Sequence, residues 1–509
     1  MKLIRKLTEN RDSGIYPFHM PGHKRVCADD DILKAVYGID ITETEGFDNL
    51  HDAHGIIKEA EEKAAACFGA DETHFLVNGS TCGVLAAVYA SVTEGDHIVI
   101  SANCHRSVYN AVMLSGATPY IITPERESYF DIYGGTDPQD VSDALSAIEE
   151  KTEGKAARKA VVITSPTYEG ITSDIRRIAE ICKEKEAVLI VDAAHGSHFS
   201  FSDKLPESAI GLADIVITGV HKTLPAMTQT ALIHISALCP VKERVRAMLP
   251  VFMTSSPSYV FMASLDEMTD MLVSDGKEMF EAYTAGLEDF YKKAEEFKSL
   301  SVLCRDMLTA KGSADHDMGR IVVSDITGTY SGQGLSDILL KDYGICAEMA
   351  AGTYITLITS VADTDEGFSR LIRALCSIDE MISAGRRPQR ARGFLRRFYD
   401  ALIGRRIAKS MAGFEAVTAA EGSSGRFFEN RIKEALFEEE VSVIPVELAE
   451  GKISKDFVSI YPPGIPVAIP GREISGEDVD KILEAKKEGL EITGLKNGEI
   501  AVIWERSST

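Results

Sequence analysis

An α/β fold with a mostly parallel sheet is predicted by three features of the sequence. From about residue 56 short apolar, β-branched runs alternate with stretches of helical spacing. The runs have the length of buried strands, and the polar motifs fall where they end. They are His97 to Ser101, Thr118 to Thr123, Ala160 to Ser165, Val188 to Asp192, Asp214 to Gly219 and Ala231 to Ser236. Ligands of such sheets bind beyond the carboxyl ends of the strands, so those ends are where function is sought. Ahead of them, Ile56, Ile57, Ala60, Ala64, Cys67 and Phe68 recur at helical spacing, and Gly69 ends that helix. Ile171 to Glu186 is expected to be another helix.

With 509 residues, 45% of them hydrophobic, the chain is large enough for several domains. We expect an N-terminal segment over 1–55, a large sheet domain over 56–290, a small α+β domain over 291–385 and a C-terminal domain over 386–509. The last boundary lies where residues 383 to 397 concentrate positive charge, as a solvated linker or helix face or as a docking patch for an anion. A formal charge of −24 opposes non-specific attraction to nucleic acid or anionic lipid and favours a cationic small molecule. No apolar run is long enough for a signal peptide or a membrane span, which points to a soluble, cytoplasmic protein. Nine scattered cysteines without a Cys-x-x-Cys pair are expected to be reduced, mostly buried, small apolar residues.

Three motifs carry chemistry. Thr218-Gly-Val-His-Lys-Thr223 follows a strand and sets His221 and Lys222 at its end; a lysine amine there can condense with an aldehyde. Val188 to Asp192 is a very apolar strand ending in a carboxylate, which needs a cationic partner because burying it unpaired costs several kcal/mol, roughly. Phe75-Leu-Val-Asn-Gly-Ser-Thr81 reads as strand, turn and helix start. Gly79, Ser80 and Thr81 there form either a phosphate cradle or an ordinary N-cap. Together these match the aldehyde, ring nitrogen and phosphate of pyridoxal 5′-phosphate. His195 and His198, like His51 and His54, are three apart, as metal ligands can be, but no further ligand stands at a matching spacing; no metal is expected.

His221-Lys222 with Leu224-Pro-Ala-Met-Thr-Gln229, Asp192-Ala-Ala-His-Gly-Ser-His198, Asn103-Cys-His-Arg-Ser107 and Phe18-His-Met-Pro-Gly-His23 resemble the Orn/Lys/Arg decarboxylase family. So do Thr254-Ser-Ser-Pro-Ser-Tyr259, Ala263-Ser-Leu-Asp266, Gly344-Ile-Cys-Ala-Glu348 and Tyr461-Pro-Pro-Gly-Ile-Pro466. The resemblance implies a fold-type I, aspartate aminotransferase-like, pyridoxal-phosphate enzyme that decarboxylates arginine, lysine or ornithine, with a lean to arginine. It implies that Lys222 bonds the cofactor, Asp192 pairs with its ring nitrogen, His105 stacks on the ring and Ala194 packs beneath it. Ser80 and Thr81 would hold the phosphate with His221 nearby, and His195 would belong to the same cofactor shell. Thr254 or Ser255 of a neighbouring subunit would complete the phosphate site, and Glu348 would meet the basic end of the substrate. Larger members carry an N-terminal wing domain, and this chain begins almost at the cofactor region, so a homodimer is expected.

The chain departs from the pattern at Gly219-Val220, where a serine is common, and Thr218 is the candidate to replace that hydroxyl. It also has Ala193 for an acidic residue and Arg472 for a glutamate. Another pyridoxal-phosphate reaction, aminotransfer or β-elimination, and a non-catalytic regulatory paralogue are the alternatives.

Overall fold

The computed structural model describes residues 2–25, 30–152, 157–385, 427–429, 432–438, 441–461, 465–488 and 490–503. Helices α1 (Leu3–Asp12), α2 (Asp31–Ile39) and α3 (Ile56–Phe68) come first, and Gly69 closes α3 at φ 71°. Then follow β1 (Glu72–Leu76), α4 (Gly79–Ser91), β2 (His97–Ser101), α5 (Arg106–Ser115) and β3 (Thr118–Ile122). A short hairpin, β4 (Arg126–Glu127) and β5 (Ile132–Tyr133), precedes α6 (Pro138–Thr152), β6 (Lys159–Thr164), β7 (Ile171–Ser173) and α7 (Ile175–Glu184). Strands β8 (Ala187–Asp192), β9 (Ile215–Thr218) and β10 (Ala231–Ile235) lead to α8 (Lys242–Phe252) and the 36-residue α9 (Tyr259–Ala294).

The central sheet has eight strands in the order β1-β10-β9-β8-β6-β2-β3, with a last strand, β16 (Phe427–Glu429), on the β3 edge. From β9 to β3 neighbouring strands are parallel, while β1, β10 and β16 pair antiparallel. Period-two alternation sends Ile98, Ile100, Val162, Ile190 and Ile217 into one core, and Val99, Val161, Ile163, Leu189 and Val191 into a second on the opposite face. Helix α7 covers that second face with Ile175, Ile178 and Ile181, leaving Arg176 and Arg177 outside. The sheet is thus buried on both sides, as parallel sheets are.

One expected element is corrected. Ile171-Thr-Ser173 does not start a helix but pairs with Ser313–His316, a strand of the following unit. Its β-branched residues suit a strand, and Asp174 then caps α7 by accepting the Arg177 amide. Beyond α9 a four-stranded sheet is ordered β11 (Leu300–Val302), β13 (Arg320–Asp325), β15 (Tyr354–Ile358), β14 (Met349–Ala350), with Ser313–His316 as β12; α10 (Gly332–Tyr343) and α11 (Asp365–Ser383) accompany it. The C-terminal region carries two three-stranded sheets and its own apolar core around Val446, Ile482 and Val502. It is not self-contained, because β16 belongs to the central sheet. Arg386 to Arg397, most of the basic segment, and Pro462 to Gly464 lie outside the described residues.

Cys82, Cys104, Cys182 and Cys239 are buried, Cys67, Cys304 and Cys376 half-buried and Cys346 exposed, all as free thiols; Cys27 lies outside the described residues. Among the described residues no helix is long and apolar enough to cross a membrane.

Candidate active site

The carboxyl ends of β8 and β9 set the two expected residues side by side. Asp192 ends β8 and is 4% exposed; Lys222 closes the single helical turn, Val220–Lys222, that follows β9. Oδ1 of Asp192 accepts the Ala194 amide at 3.2 Å, and Oδ2 takes no hydrogen bond from any described residue. Burial pushes the Lys222 ammonium below its ordinary range, Asp192 opposes that shift, Arg320 adds to it and Glu348 opposes it. Ala194, buried, packs against Gly219: a β-carbon at Gly219 would lie 2.7 Å from the Ala194 carbonyl oxygen. The glycine where a serine is common is therefore what the close approach of these two turns requires. Thr218 does not replace that hydroxyl. Its Oγ1 is buried and spent on His234 Nε2 at 3.1 Å.

The strand, turn and helix start expected over Phe75 to Thr81 are present, with the helix opening three residues earlier than the sequence suggested. Helix α4 begins at Gly79 rather than near Cys82, and Gly79 has φ 74°, a left-handed conformation that glycine adopts freely. Gln229 pins the turn: its carbonyl accepts the Gly79 amide at 2.8 Å and its Nε2 donates to the Val77 carbonyl at 2.7 Å. Ser80 is half-buried and Thr81 exposed, and no described residue takes or gives a hydrogen bond to either hydroxyl. Asn78 at the N-cap does not cap; its Oδ1 accepts the Thr254 amide at 3.1 Å. Thr254 thus lies beside the phosphate turn of its own chain, with its carbonyl held by His51 Nε2 at 2.8 Å, and Ser255 is exposed next to it.

His105 is the N-cap of α5, where its Nδ1 accepts the Ser107 amide at 3.2 Å, and its ring is exposed. Despite that exposure the surrounding protein partly desolvates it and lowers its pKa; Asp192 opposes this and Lys222 adds to it, so the three residues share one electrostatic environment. His221 donates from Nδ1 to the Thr230 carbonyl at 2.7 Å, which leaves Nε2 free as the acceptor of a neutral ring.

His195 sits at the centre of an arrangement the sequence did not reveal. Its Nε2 is 2.8 Å from Lys222 Nζ and its Nδ1 is 2.9 Å from Nη2 of Arg320, the first residue of β13. Arg320 is 0% exposed, and its Nε and Nη1 have no hydrogen-bond partner among the described residues. Gly170, at φ 94°, admits the arginine stem, since a β-carbon there would be 2.7 Å from Arg320 Cβ. The Tyr168 ring meets His195 edge-on at 5.1 Å, and its hydroxyl donates to Glu348 at 2.8 Å. Glu348 is therefore tied to the site through Tyr168. His198 does not join His195: it pairs with buried Asp317 at 3.2 Å. His54 pairs with Asp52, and Arg472 lies 3.6 Å from Asp478 in the C-terminal region.

A lysine of lowered basicity, a buried carboxylate with one open oxygen and a helix-start hydroxyl turn fit the aldehyde, ring nitrogen and phosphate of pyridoxal phosphate, the cofactor of the class this fold and site define. The sequence matches the model of the Orn/Lys/Arg decarboxylase major domain over residues 2–360 and that of the family's C-terminal domain over residues 428–490. The chain belongs to the Orn/Lys/Arg decarboxylase family, whose members are lyases acting on basic amino acids with pyridoxal 5′-phosphate. It is 29% identical over 492 residues to the arginine decarboxylase of Bacillus subtilis, covering 96% of this chain and 94% of that one. It is also 29% identical over 484 residues to the arginine decarboxylase of Halalkalibacterium halodurans, covering 94% and 91%. The fold superposes on the lysine decarboxylase of Francisella novicida with a TM-score of 0.81 at 20% identity, over 98% of this chain and 80% of that chain.

Proposed function

We propose that this basic amino acid decarboxylase acts on arginine, releasing CO₂ and agmatine, with Lys222 as the cofactor-bearing residue. The observation that carries the site is Lys222 Nζ at the carboxyl end of β9, depressed in basicity by burial and beside Asp192. The arginine decarboxylases among the relatives support the substrate.

Bound at this site, pyridoxal phosphate supplies an electron sink for the pair left behind when the α-carboxylate departs. Asp192 Oδ2 would accept the hydrogen bond of a protonated ring nitrogen and stabilise its charge. Gly79, Ser80 and Thr81 would hold the phosphate at the start of α4, with His221 nearby; Thr254, expected from a neighbouring subunit, is tied to Asn78 beside the turn of its own chain and would complete the shell from there, with Ser255 next to it. His105 would lie along one face of the ring, with Ala194 on the other and His195 at the lysine. Lys222 Nζ would carry a proton to the substrate carbon, and His221 Nε2, the acceptor of a neutral ring, would do so only after first taking up a proton itself. Glu348, oriented by Tyr168, would receive the substrate's distal cation, and a planar guanidinium offers a carboxylate two parallel donors.

A homodimer in the cytoplasm, feeding polyamine synthesis, completes the proposal, with divisions after residues 55 and 385; the boundary expected at 290 falls inside α9 and moves to the end of that helix at Ala294, and β16 crosses the one at 385. Its test is CO₂ release from arginine, lysine and ornithine, with borohydride fixation and peptide mapping of the cofactor. Arginine is expected to be turned over fastest, with the label on Lys222. A label on another residue overturns the site, a faster lysine or ornithine overturns the substrate, and a keto acid in place of an amine overturns the reaction.

A further inference from the structure

The hydrogen-bond direction through His195 is decided by its far neighbour. An arginine carries N–H donors and no acceptor, and its guanidinium stays protonated in proteins. Nη2 of Arg320, 2.9 Å from His195 Nδ1, must therefore donate, and Nδ1 must be the unprotonated nitrogen. A second contact from the same Nη2 to the His195 carbonyl, at 3.3 Å, holds the guanidinium in place. The neutral ring then carries its hydrogen on Nε2, which faces Lys222 Nζ at 2.8 Å. An ammonium has three donors and no acceptor, so only a neutral amine can receive that hydrogen.

The geometry points to Arg320 as a positioning residue that fixes His195 as the Nε2–H tautomer, and to His195 as the donor that keeps Lys222 a neutral, nucleophilic amine. The meaning of this relay for cofactor capture rests on Lys222 being the cofactor lysine. The surroundings agree with it. His195 is faced by the charges or dipoles of Lys222, Arg320, His105 and His221, which together with burial push its pKa well below the usual range, and by the edge of the Tyr168 ring. Lys222 faces Asp192, Glu348 and Arg320, with burial outweighing the two carboxylates. Arg320 is balanced on its other side by Asp317, whose carboxyl its charge and His198 help to hold low despite burial. No part of this is local in sequence: His195 comes from the turn after β8, Lys222 from the helical turn after β9 and Arg320 from the start of β13.

The test is competitive acylation of the cofactor-free, full-length chain across pH, with the rate at Lys222 read by mass spectrometry. The wild-type midpoint is expected well below that of an exposed lysine. In His195→Phe, which keeps a ring against Tyr168, the midpoint should rise by about one pH unit or more, slowing Lys222 labelling about tenfold at neutral pH. Arg320→Met should raise the midpoint too, and by a smaller amount when His195→Phe is already present, because the arginine acts through the histidine. An unchanged midpoint in His195→Phe overturns the inference, and so does an equal shift from Arg320→Met in both backgrounds, which would mean charge alone. If Arg320→Met does not fold, His195→Phe decides. The reagent reports on the bare amine, so a failure here leaves attachment of the cofactor to Lys222 standing. A cofactor found elsewhere leaves the labelling result standing.

Discussion

At the lysine end of the site the polar atoms already hold one another, Lys222 Nζ on His195 Nε2 at 2.8 Å and His195 Nδ1 on Arg320 at 2.9 Å. At the helix end the Ser80 and Thr81 hydroxyls have no partner among the described residues, and the Gly79 turn is held from behind by Gln229. Chemistry needs a group whose protonation is set before the reactant arrives, and a buried network supplies that. Binding of an anion needs donors left unspent, and a helix start supplies those. One end is arranged to control a proton, the other to receive a ligand.

If that division holds, substitutions at the two ends should damage different quantities. Lys222→Ala is expected to lower CO₂ release by on the order of a thousandfold or more, with no recovery at saturating cofactor, because the covalent anchor is gone. Asp192→Asn, which keeps the shape and removes the charge, should lower kcat by about a hundredfold to a thousandfold, and Asp192→Glu should retain part of the rate. Gly219→Ser tests the wall between the ends. Its side chain would drive into the Ala194 carbonyl, and urea unfolding should show a loss of about 1–3 kcal/mol. Mildest are Ser80→Ala and Thr81→Ala, each expected to weaken cofactor binding by about 1 kcal/mol, roughly fivefold, with kcat intact once cofactor is saturating. A fall in saturated kcat at Ser80 would break the comparison, as would a pure affinity loss at Asp192.

Most of the central sheet was legible because its strands are continuous apolar runs bounded by turns, and the observed β2, β6, β8, β9 and β10 begin and end within a residue or so of those runs. Lys222, Asp192 and Ser80 were legible for a related reason: each lies at the end of such a run, where its type is out of place unless a ligand is near. Ile171 to Ser173 was misread because helical spacing continued through it, and its strand partner, β12, lies more than a hundred residues away. Arg320 escaped because the residues it serves lie in the turns that follow β8 and β9, far away in sequence. Its signal was present, an arginine opening the apolar strand Arg320-Ile-Val-Val-Ser-Asp325, but no pattern says what a buried cation faces. Tyr168 was findable in principle, since it follows β6 at the same strand ends as Asp192 and Lys222.

Phe427 to Glu429 lie along β3 in register with Ile122 to Tyr120, so the outermost strand of the central sheet is contributed from the far end of the polypeptide. Cutting the gene just after residue 385 would yield a product with an open row of amide and carbonyl groups on β3, a sticky border prone to self-association. The catalytic half and the tail are thus a single folding commitment, and an expression strategy that separates them would give up solubility before it tested activity.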